Sequence, residues 1–190
     1  MNKGYELIGL GGLVGAQDEG AVSWLDRIFD LVCDQPSRLP KVKLHGFGVT
    51  IHRLLVRFPW WSVDSTTWTR VGGFGGILVP RKQNGRFDFG KSPYVIKVSM
   101  ESPARKELGR HYTTLTTLEK KIVGEWLELI NLPLGMIGSD GKMKEPGVMT
   151  THTVRRAANL LFFEELRKNL PEWPWPFRKS KKGFLALETA

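Results

Sequence analysis

The stretch Lys43–Trp68 decides the fold class, and its sequence is KLHGFGVTIHRLLVRFPWWSVDSTTW. It predicts a strand over residues 42–45, a short helix that Thr50 caps, and a second strand over residues 60–63. Asp64 directly follows that second strand. Because parallel α/β folds keep their working groups at the carboxyl ends of strands, Asp64 is a candidate catalytic carboxylate. A strand-end Asp also commonly caps the following turn, and the pattern alone leaves both interpretations open.

Another strand and helix precede this stretch. Residues 5–10 form a short apolar run closed by Gly11 and Gly12, which is typical of a buried parallel strand followed by a loop that needs close backbone approach. A helix follows, with apolar residues at helical spacing: Trp24, Leu25, Ile28, Phe29 and Val32. Alternating strands and helices with short connections predict parallel crossovers and an α/β fold.

The pattern changes after Trp68. The glycine-rich residues 72–76 predict a flexible or tightly turning loop rather than a phosphate-binding loop, because they lack the Lys-Ser/Thr that a phosphate-binding loop carries. Asn84-Gly85 stands between two strand-like runs, 77–80 and 86–89, and predicts a β-hairpin. Residues 94–100 could add another strand.

The C-terminal region is predicted to be helical. Thr116 and Glu119 have the spacing of a capping box at the start of one helix, and residues 151–170 form a second apolar-periodic segment. Residues 171–177, PEWPWPF, predict an extended arm over the surface, because their prolines are incompatible with a helix.

The charge balance favours a polyanionic partner. The 28 Lys and Arg residues exceed the 19 Asp and Glu residues, which gives a formal net charge of +9. Nucleic acid is the leading partner class for such a surplus, and a basic protein without such a partner fits the charge equally well. Five aromatic residues near the predicted strand ends could pack in the core or stack on bases: Phe47, Trp60, Trp61, Trp68 and Phe74.

The sequence predicts no metal, no cofactor and no membrane partner. Cys33 is the only cysteine and lies in an apolar helical pattern, which indicates a buried structural thiol and excludes a Cys-rich zinc site within the chain. The four histidines lack paired metal spacing, and only His45, beside Gly46, is expected near a pocket. No apolar run reaches membrane-spanning length and no signal-peptide pattern is present, so a cytoplasmic location is expected.

Four ordered segments resemble the tRNA-guanine transglycosylase superfamily. Residues 8–13 with Gln17 resemble its glycine loop, which reads the nucleobase through backbone groups and has a Glu where Gln17 stands. Residues 45–48, HGFG, are similar to a Met-Gly-Val-Gly strand end that packs on the base. Residues 62–65, SVDS, resemble the segment that carries the family's nucleophile, and Arg70 follows as a backbone-contacting Arg does there.

The resemblance implies the fold and the domain organisation. Residues 1–76 would correspond to the last three βα units of a (β/α)8 TIM barrel. The resemblance does not extend to residues 77–190, for which the sequence pattern predicts a β-hairpin and a helical extension packed on residues 1–76, with a basic Trp/Pro-rich tail over 171–190. The local sequence of the matching segments is most similar to that of the phage-type relatives that insert 7-deazaguanines into DNA.

The resemblance also implies a transferase activity and a set of site residues. Asp64 would attack the sugar C1′ and release guanine, and a 7-deazaguanine base would then displace the covalent intermediate. Three residues would present backbone groups to the base edge: Gly11, Gly12 and Leu13. Gln17, His45 and Gly46 would complete the base-binding set. Arg70 would hold phosphates of DNA or RNA.

Some parts of the family's site have no counterpart here. Its general-base and base-recognising Asp residues come from earlier strands, and its zinc site uses three cysteines. Three explanations follow: a second chain completes the barrel, the chain is a fragment, or it is a relative without activity. The alternative function is a non-catalytic nucleic-acid-binding or assembly protein that retains half a barrel. A general α/β protein with coincidental matches is a third possibility.

Overall fold

The architecture is described from a computed structural model that defines residues 4–13, 19–49 and 51–178. Within these ranges the chain is mixed α/β, with five α-helices and small sheets, and no closed barrel is formed. It divides into two compact units, residues 1–65 with 170–190 and residues 66–169. The α/β class is confirmed. The assignment of residues 1–76 to part of a TIM barrel stays a prediction.

The first unit contains the predicted parallel sheet. Its strands are β1 (Leu7–Leu10), β2 (Lys43–Gly46) and β3 (Ser62–Val63), hydrogen-bonded in the order β1-β2-β3. Helix α1 (Glu19–Val32) connects β1 to β2, and α2 (His52–Arg57) connects β2 to β3. Both strand pairs are parallel, as the alternation of strands and helices predicts. The prediction that Thr50 caps α2 is wrong, because the N-cap position is Ile51, which makes no side-chain cap hydrogen bond, and Thr50 itself lies outside the described residues.

Aromatic rings fill the core of the first unit. The buried Phe29 ring of α1 lies 5.0 Å from Phe58 and 5.1 Å from Trp60 between ring centroids. Phe177 packs against Phe29 and Phe58 at 5.6 and 5.7 Å, and its backbone N–H donates to the Arg38 carbonyl. The C-terminal arm is non-helical, as its prolines predict. The expectation that it lies over the surface is wrong at Phe177, which is 1% exposed and belongs to this core.

Two sequence expectations for the first unit have different outcomes. Cys33 is a free thiol that is buried, as predicted, and burial raises its pKa. The expectation that β1 is buried is wrong, because Leu7 is 51% exposed and Ile8 is 36% exposed. The reason is that β1 is an edge strand and pairs only with β2 among the described strands.

The second unit begins with a helix that the sequence interpretation missed. Helix α3 (Thr67–Gly73) leads into β4 (Gly76–Val79), which pairs antiparallel with β7 (Tyr94–Lys97). Between them lies the hairpin of β5 (Arg81–Gln83) and β6 (Arg86–Asp88). The turn predicted at Asn84-Gly85 is confirmed, with positive φ at both residues, as a two-residue hairpin turn requires. Its first strand is residues 81–83, however, because residues 76–79 pair with β7 instead.

The C-terminal helices were predicted closely. Helix α4 (Thr117–Leu129) has Thr116 as its N-cap residue, and the reciprocal hydrogen bonds of the Thr116–Glu119 capping box are present. These bonds hold the pKa of the Glu119 carboxyl below its ordinary value. Helix α5 is His152–Asn169. Shorter elements complete the unit: 3-10 helices at Pro103–Lys106 and Tyr112–Thr114, and the strands β8 (Met136–Ile137) and β9 (Met143–Glu145).

The glycine-rich segment is largely ordered secondary structure rather than the loop expected from its composition. Gly72 and Gly73 end α3, and Gly76 begins β4. A Cβ atom on Gly72 would lie 2.9 Å from the backbone nitrogen of Arg156, so this glycine allows α3 to pack closely on α5. That packing groups residues 66–76 with the second unit.

Two buried polar residues of α5 hold this packing together. The fully buried Asn159 accepts a hydrogen bond from the Leu78 N–H and donates to the carbonyls of Trp68 and Gly76. Arg155 donates to the carbonyls of Gly72 and Val148, and its burial lowers the pKa of its guanidinium. These bonds satisfy backbone groups where α3 passes into β4. None of the helices in the described part of the chain has the length and apolar character of a membrane span.

Candidate functional site

The carboxyl ends of the three parallel strands lie side by side. Leu10 of β1 pairs with Gly46 of β2, and Gly46 pairs with Val63 of β3. The residues that follow these positions therefore leave the sheet along the edge formed by the carboxyl ends of its strands: Gly11, Phe47 and Asp64. Since neighbouring strands lie about 4.8 Å apart, this edge spans roughly 10 Å. It is the edge at which parallel α/β folds place functional groups.

One face of the sheet near this edge carries polar and aromatic side chains. His45 and Ser62 are cross-strand partners, and a 2.8 Å hydrogen bond joins the His45 Nδ1 and the Ser62 Oγ. The ring of Phe47 contacts the His45 ring edge-on, with 4.6 Å between centroids. Phe47 also lies over Gly9, where a Cβ atom would approach the ring to 2.4 Å, and the Phe47 side chain is 51% exposed. The result is an exposed aromatic surface beside a hydrogen-bonded His-Ser pair.

Asp64 is exposed and held by the turn that follows β2. Its Oδ1 accepts a short hydrogen bond from the Gly48 N–H, and its backbone N–H donates to the Gly46 carbonyl at 3.2 Å. No cation of the described residues forms an ion pair with this carboxylate. The side chain is thus oriented through one oxygen, and the second oxygen has no hydrogen-bond donor among the described residues. This geometry fits both interpretations of Asp64, because the bond to Gly48 is also what a turn-capping residue makes.

Gly46 is the residue around which the turn is built. It is buried, and a Cβ atom there would lie 2.6 Å from the Val49 Cγ2 and 3.1 Å from the Trp60 ring. The absence of a side chain lets β2 end directly against the core. Glycine at this position therefore has a structural reason that is independent of any ligand.

Gly46→Ala is expected to lower the free energy of unfolding by about 1–3 kcal/mol, because an added methyl overpacks a filled core. Chemical denaturation would measure the change. The matched control is Gly11→Ala, since no atom of a described residue lies within 4 Å of a Cβ atom there. The control is expected to change stability by less than about 0.5 kcal/mol. Equal stability of the two variants would contradict the packing described for Gly46.

The remaining predicted base-binding residues lie where β1 ends. Gly11 and Gly12 are exposed, and Gly12 has a φ of +79°, a conformation that glycine adopts without strain. Leu13 is buried at 4% exposure. Gln17 lies outside the described residues. The structure thus brings Gly11, Gly46 and Asp64 to one edge, and the roles assigned to them stay predictions.

Other residues singled out from the sequence lie elsewhere. Arg70 is an exposed residue of α3, in the second unit. Trp68 and Phe74 also belong to the second unit, whereas Trp60 is part of the first unit's core. Trp61 is exposed, and the Lys43 Nζ lies 5.1 Å from its ring centroid. The described residues contain no cluster of three His, Cys, Asp or Glu side chains that could hold a metal ion.

Sequence reasoning missed two partners at this edge, Ser62 and the Gly48 N–H. Both become partners through strand register and turn geometry, which bring together residues 16 or 17 positions apart. Alternation within β2 and β3 would have assigned His45 and Ser62 to sheet faces, but not to the same cross-strand position. These contacts therefore become visible only once the strand register and the turn geometry are known.

Comparison with protein-family models, curated proteins and solved structures gives no match to this chain.

Proposed function

We propose that this chain takes part in base exchange in nucleic acid, in which guanine is replaced by a 7-deazaguanine through a glycosyl-aspartate intermediate. The observation that carries the proposal is the exposed Asp64 carboxylate at the carboxyl end of β3, oriented through one oxygen by the Gly48 N–H. A carboxylate held in this way has a second oxygen available for attack. The reaction would be cytoplasmic, with DNA or RNA as the acceptor.

The reaction proceeds by two displacements at one carbon. The free Asp64 oxygen attacks the sugar C1′, the bond from C1′ to guanine N9 breaks, and its electron pair leaves with guanine, which takes up a proton. The incoming deazapurine then loses a proton, attacks C1′ and breaks the bond to Asp64. The oxocarbenium-like transition states are the kind that retaining glycosidases stabilise with a carboxylate.

The neighbouring residues support recognition of a planar base. The exposed Phe47 ring offers a stacking surface, and the exposed backbone of Gly11 and Gly12 permits close approach. Arg70 would contact the phosphates. A second chain would supply the groups that the transglycosylase resemblance requires and this chain lacks.

The direct test is exchange of labelled guanine into DNA and into RNA. The full chain would be assayed alone and co-expressed with the products of the genes adjacent to its own. We expect exchange in at least one of these preparations. Its absence from all of them, together with retained nucleic-acid binding, would refute base exchange.

That outcome would favour a non-catalytic nucleic-acid-binding or assembly protein, and two observations support this alternative. The Asp64 bond to Gly48 suffices as a turn cap, and the charge surplus is concentrated outside the unit that contains Asp64. Residues 66–169 hold 17 Lys and Arg residues against 10 Asp and Glu residues. This alternative requires that the chain bind nucleic acid or a partner without catalysing base exchange.

A further inference from the structure

The β5–β6 hairpin has one face packed on the protein and one face open. On the inner face, the Phe87 ring lies 5.6 Å from that of Trp126 in α4, and Lys82 forms an ion pair with Glu125 of the same helix. Side chains alternate along a strand, so the cross-strand pairs Arg81–Asp88 and Gln83–Arg86 belong to the outer face. The inner contacts fix the hairpin, and the outer face is presented to solvent.

The outer face carries three exposed cations, Arg81, Arg86 and Lys91. Among the described residues, none of the three forms an ion pair. The hairpin's one carboxylate, Asp88, instead accepts a hydrogen bond from the Gly90 N–H at 2.8 Å. Some exposed cations elsewhere in this unit do have carboxylate partners, as in the pairs Arg110–Glu107 and Lys168–Glu165.

Two of these cations are held in place by neutral groups. The Arg81 Nε donates to the Ser92 carbonyl at 2.9 Å, and its guanidinium carbon lies 4.6 Å from the centroid of the Tyr94 ring. The Lys91 Nζ donates to the Gln83 Oε1 at 3.1 Å. Neutral partners orient a cation without cancelling its charge, which lowers the entropy lost when an anion binds. Gln83 therefore helps to form the charged face.

We propose that the outer face of the β5–β6 hairpin, formed by Arg81, Arg86 and Lys91, binds the sugar-phosphate backbone of nucleic acid. Arginine matches phosphate geometry through paired N–H donors, and unpaired cations gain most from contact with a polyanion. A two-stranded ribbon is also of a size that the major groove of a duplex admits. The choice of nucleic acid as the polyanion rests on the proposed function, whereas the charged face does not.

The β8–β9 segment provides the comparison within the same unit. Its two lysines, Lys142 and Lys144, lie close in sequence to Asp140 and Glu145, so this segment is neutral overall. Residues 81–91 contain four cations and one carboxylate. If binding depended only on total charge, neutralising either segment would have the same effect.

The test measures binding of the full chain to fluorescein-labelled duplex and single-stranded DNA and RNA by fluorescence anisotropy at several salt concentrations. We expect the double variant Arg86→Gln/Lys91→Gln to weaken binding about tenfold or more at 0.1 M salt. It should also reduce the slope of log K against log salt by about 1.8 for duplex DNA, since two phosphate contacts are lost. This variant leaves the Arg81 contacts intact, and thermal unfolding would verify that it is folded.

The matched control is Lys142→Gln/Lys144→Gln, which removes the same charge and should leave the slope within about 0.3 of the wild type. Equal weakening by both variants, or no binding by the wild-type chain, would overturn the proposal. Loss of binding to an acidic peptide but not to nucleic acid would also overturn it. Binding needs no base exchange. If exchange were absent from every preparation while the hairpin variant still reduced nucleic-acid binding and the control did not, base exchange would be refuted and this inference would stand.

Discussion

Asp64→Asn should reduce base exchange by about three orders of magnitude or more, because the amide that replaces the carboxylate is neither charged nor an effective nucleophile. The fold should be unchanged, since the Asn side-chain oxygen can still accept the Gly48 N–H. Exchange of labelled guanine would measure the loss. Thermal unfolding would show whether the turn after β2 is retained.

The chain offers a matched control for this substitution at Asp140. Asp140 is another exposed Asp whose Oδ1 accepts a turn N–H, from Lys142 at 3.1 Å. Asp140→Asn removes the same charge and keeps the same kind of hydrogen bond, so exchange should stay within about twofold of the wild type. Exchange that survives Asp64→Asn, or is lost equally in both variants, would refute the nucleophile assignment.

Phe177→Ala should lower the free energy of unfolding by about 3–5 kcal/mol, the usual cost of removing a buried aromatic ring. Phe177 is 1% exposed and packs against both Phe29 and Phe58, so its removal leaves a cavity in the aromatic core. Urea denaturation followed by tryptophan fluorescence would measure the change. The loss would show that the C-terminal arm stabilises the unit that contains Asp64.

The control for this prediction is Phe74→Ala, which makes the same chemical change at a side chain that is 71% exposed. We expect it to change the free energy of unfolding by less than about 0.5 kcal/mol. Comparable effects at the two positions would contradict the docking of the arm. A smaller effect at Phe177 than at Phe74 would contradict it more strongly.

Local patterns predicted the elements that depend on nearby residues. The capping box at Thr116 and Glu119 and the Asn84-Gly85 turn follow from hydrogen bonds and backbone angles within a few residues. The three parallel strands were predicted from the alternation of strands and helices along the chain and from their short connections. These features are encoded within short stretches, which is why a single sequence is sufficient to predict them.

The incorrect predictions concern segments whose structure depends on contacts between residues far apart in the sequence. Glycine composition indicated a loop over residues 72–76, but Gly72 serves the close packing of α3 on α5. The apolar run of β1 indicated burial, but β1 is an outermost strand of the sheet, and Leu7 is therefore exposed. In each case the tertiary position of the segment outweighed its local composition.

The candidate site was predicted in part. The position of Asp64 at a strand end follows from the sequence pattern, and the parallel register brings Gly11 and Gly46 to the same edge. The His45–Ser62 hydrogen bond and the anchoring of Asp64 by Gly48 depend on register and turn geometry that periodicity does not encode. The roles of these residues in binding and catalysis stay predictions.

The most direct measurement is the mass of the peptide that contains Asp64 after reaction. The full chain, alone and with the co-expressed adjacent gene products, would be incubated with nucleic acid without an incoming base, then denatured and digested. The proposed mechanism predicts a covalent sugar-phosphate adduct on Asp64 that is absent from Asp64→Asn and disappears when a 7-deazaguanine base is added. Guanine exchange without this adduct, or an adduct on another residue, would contradict it.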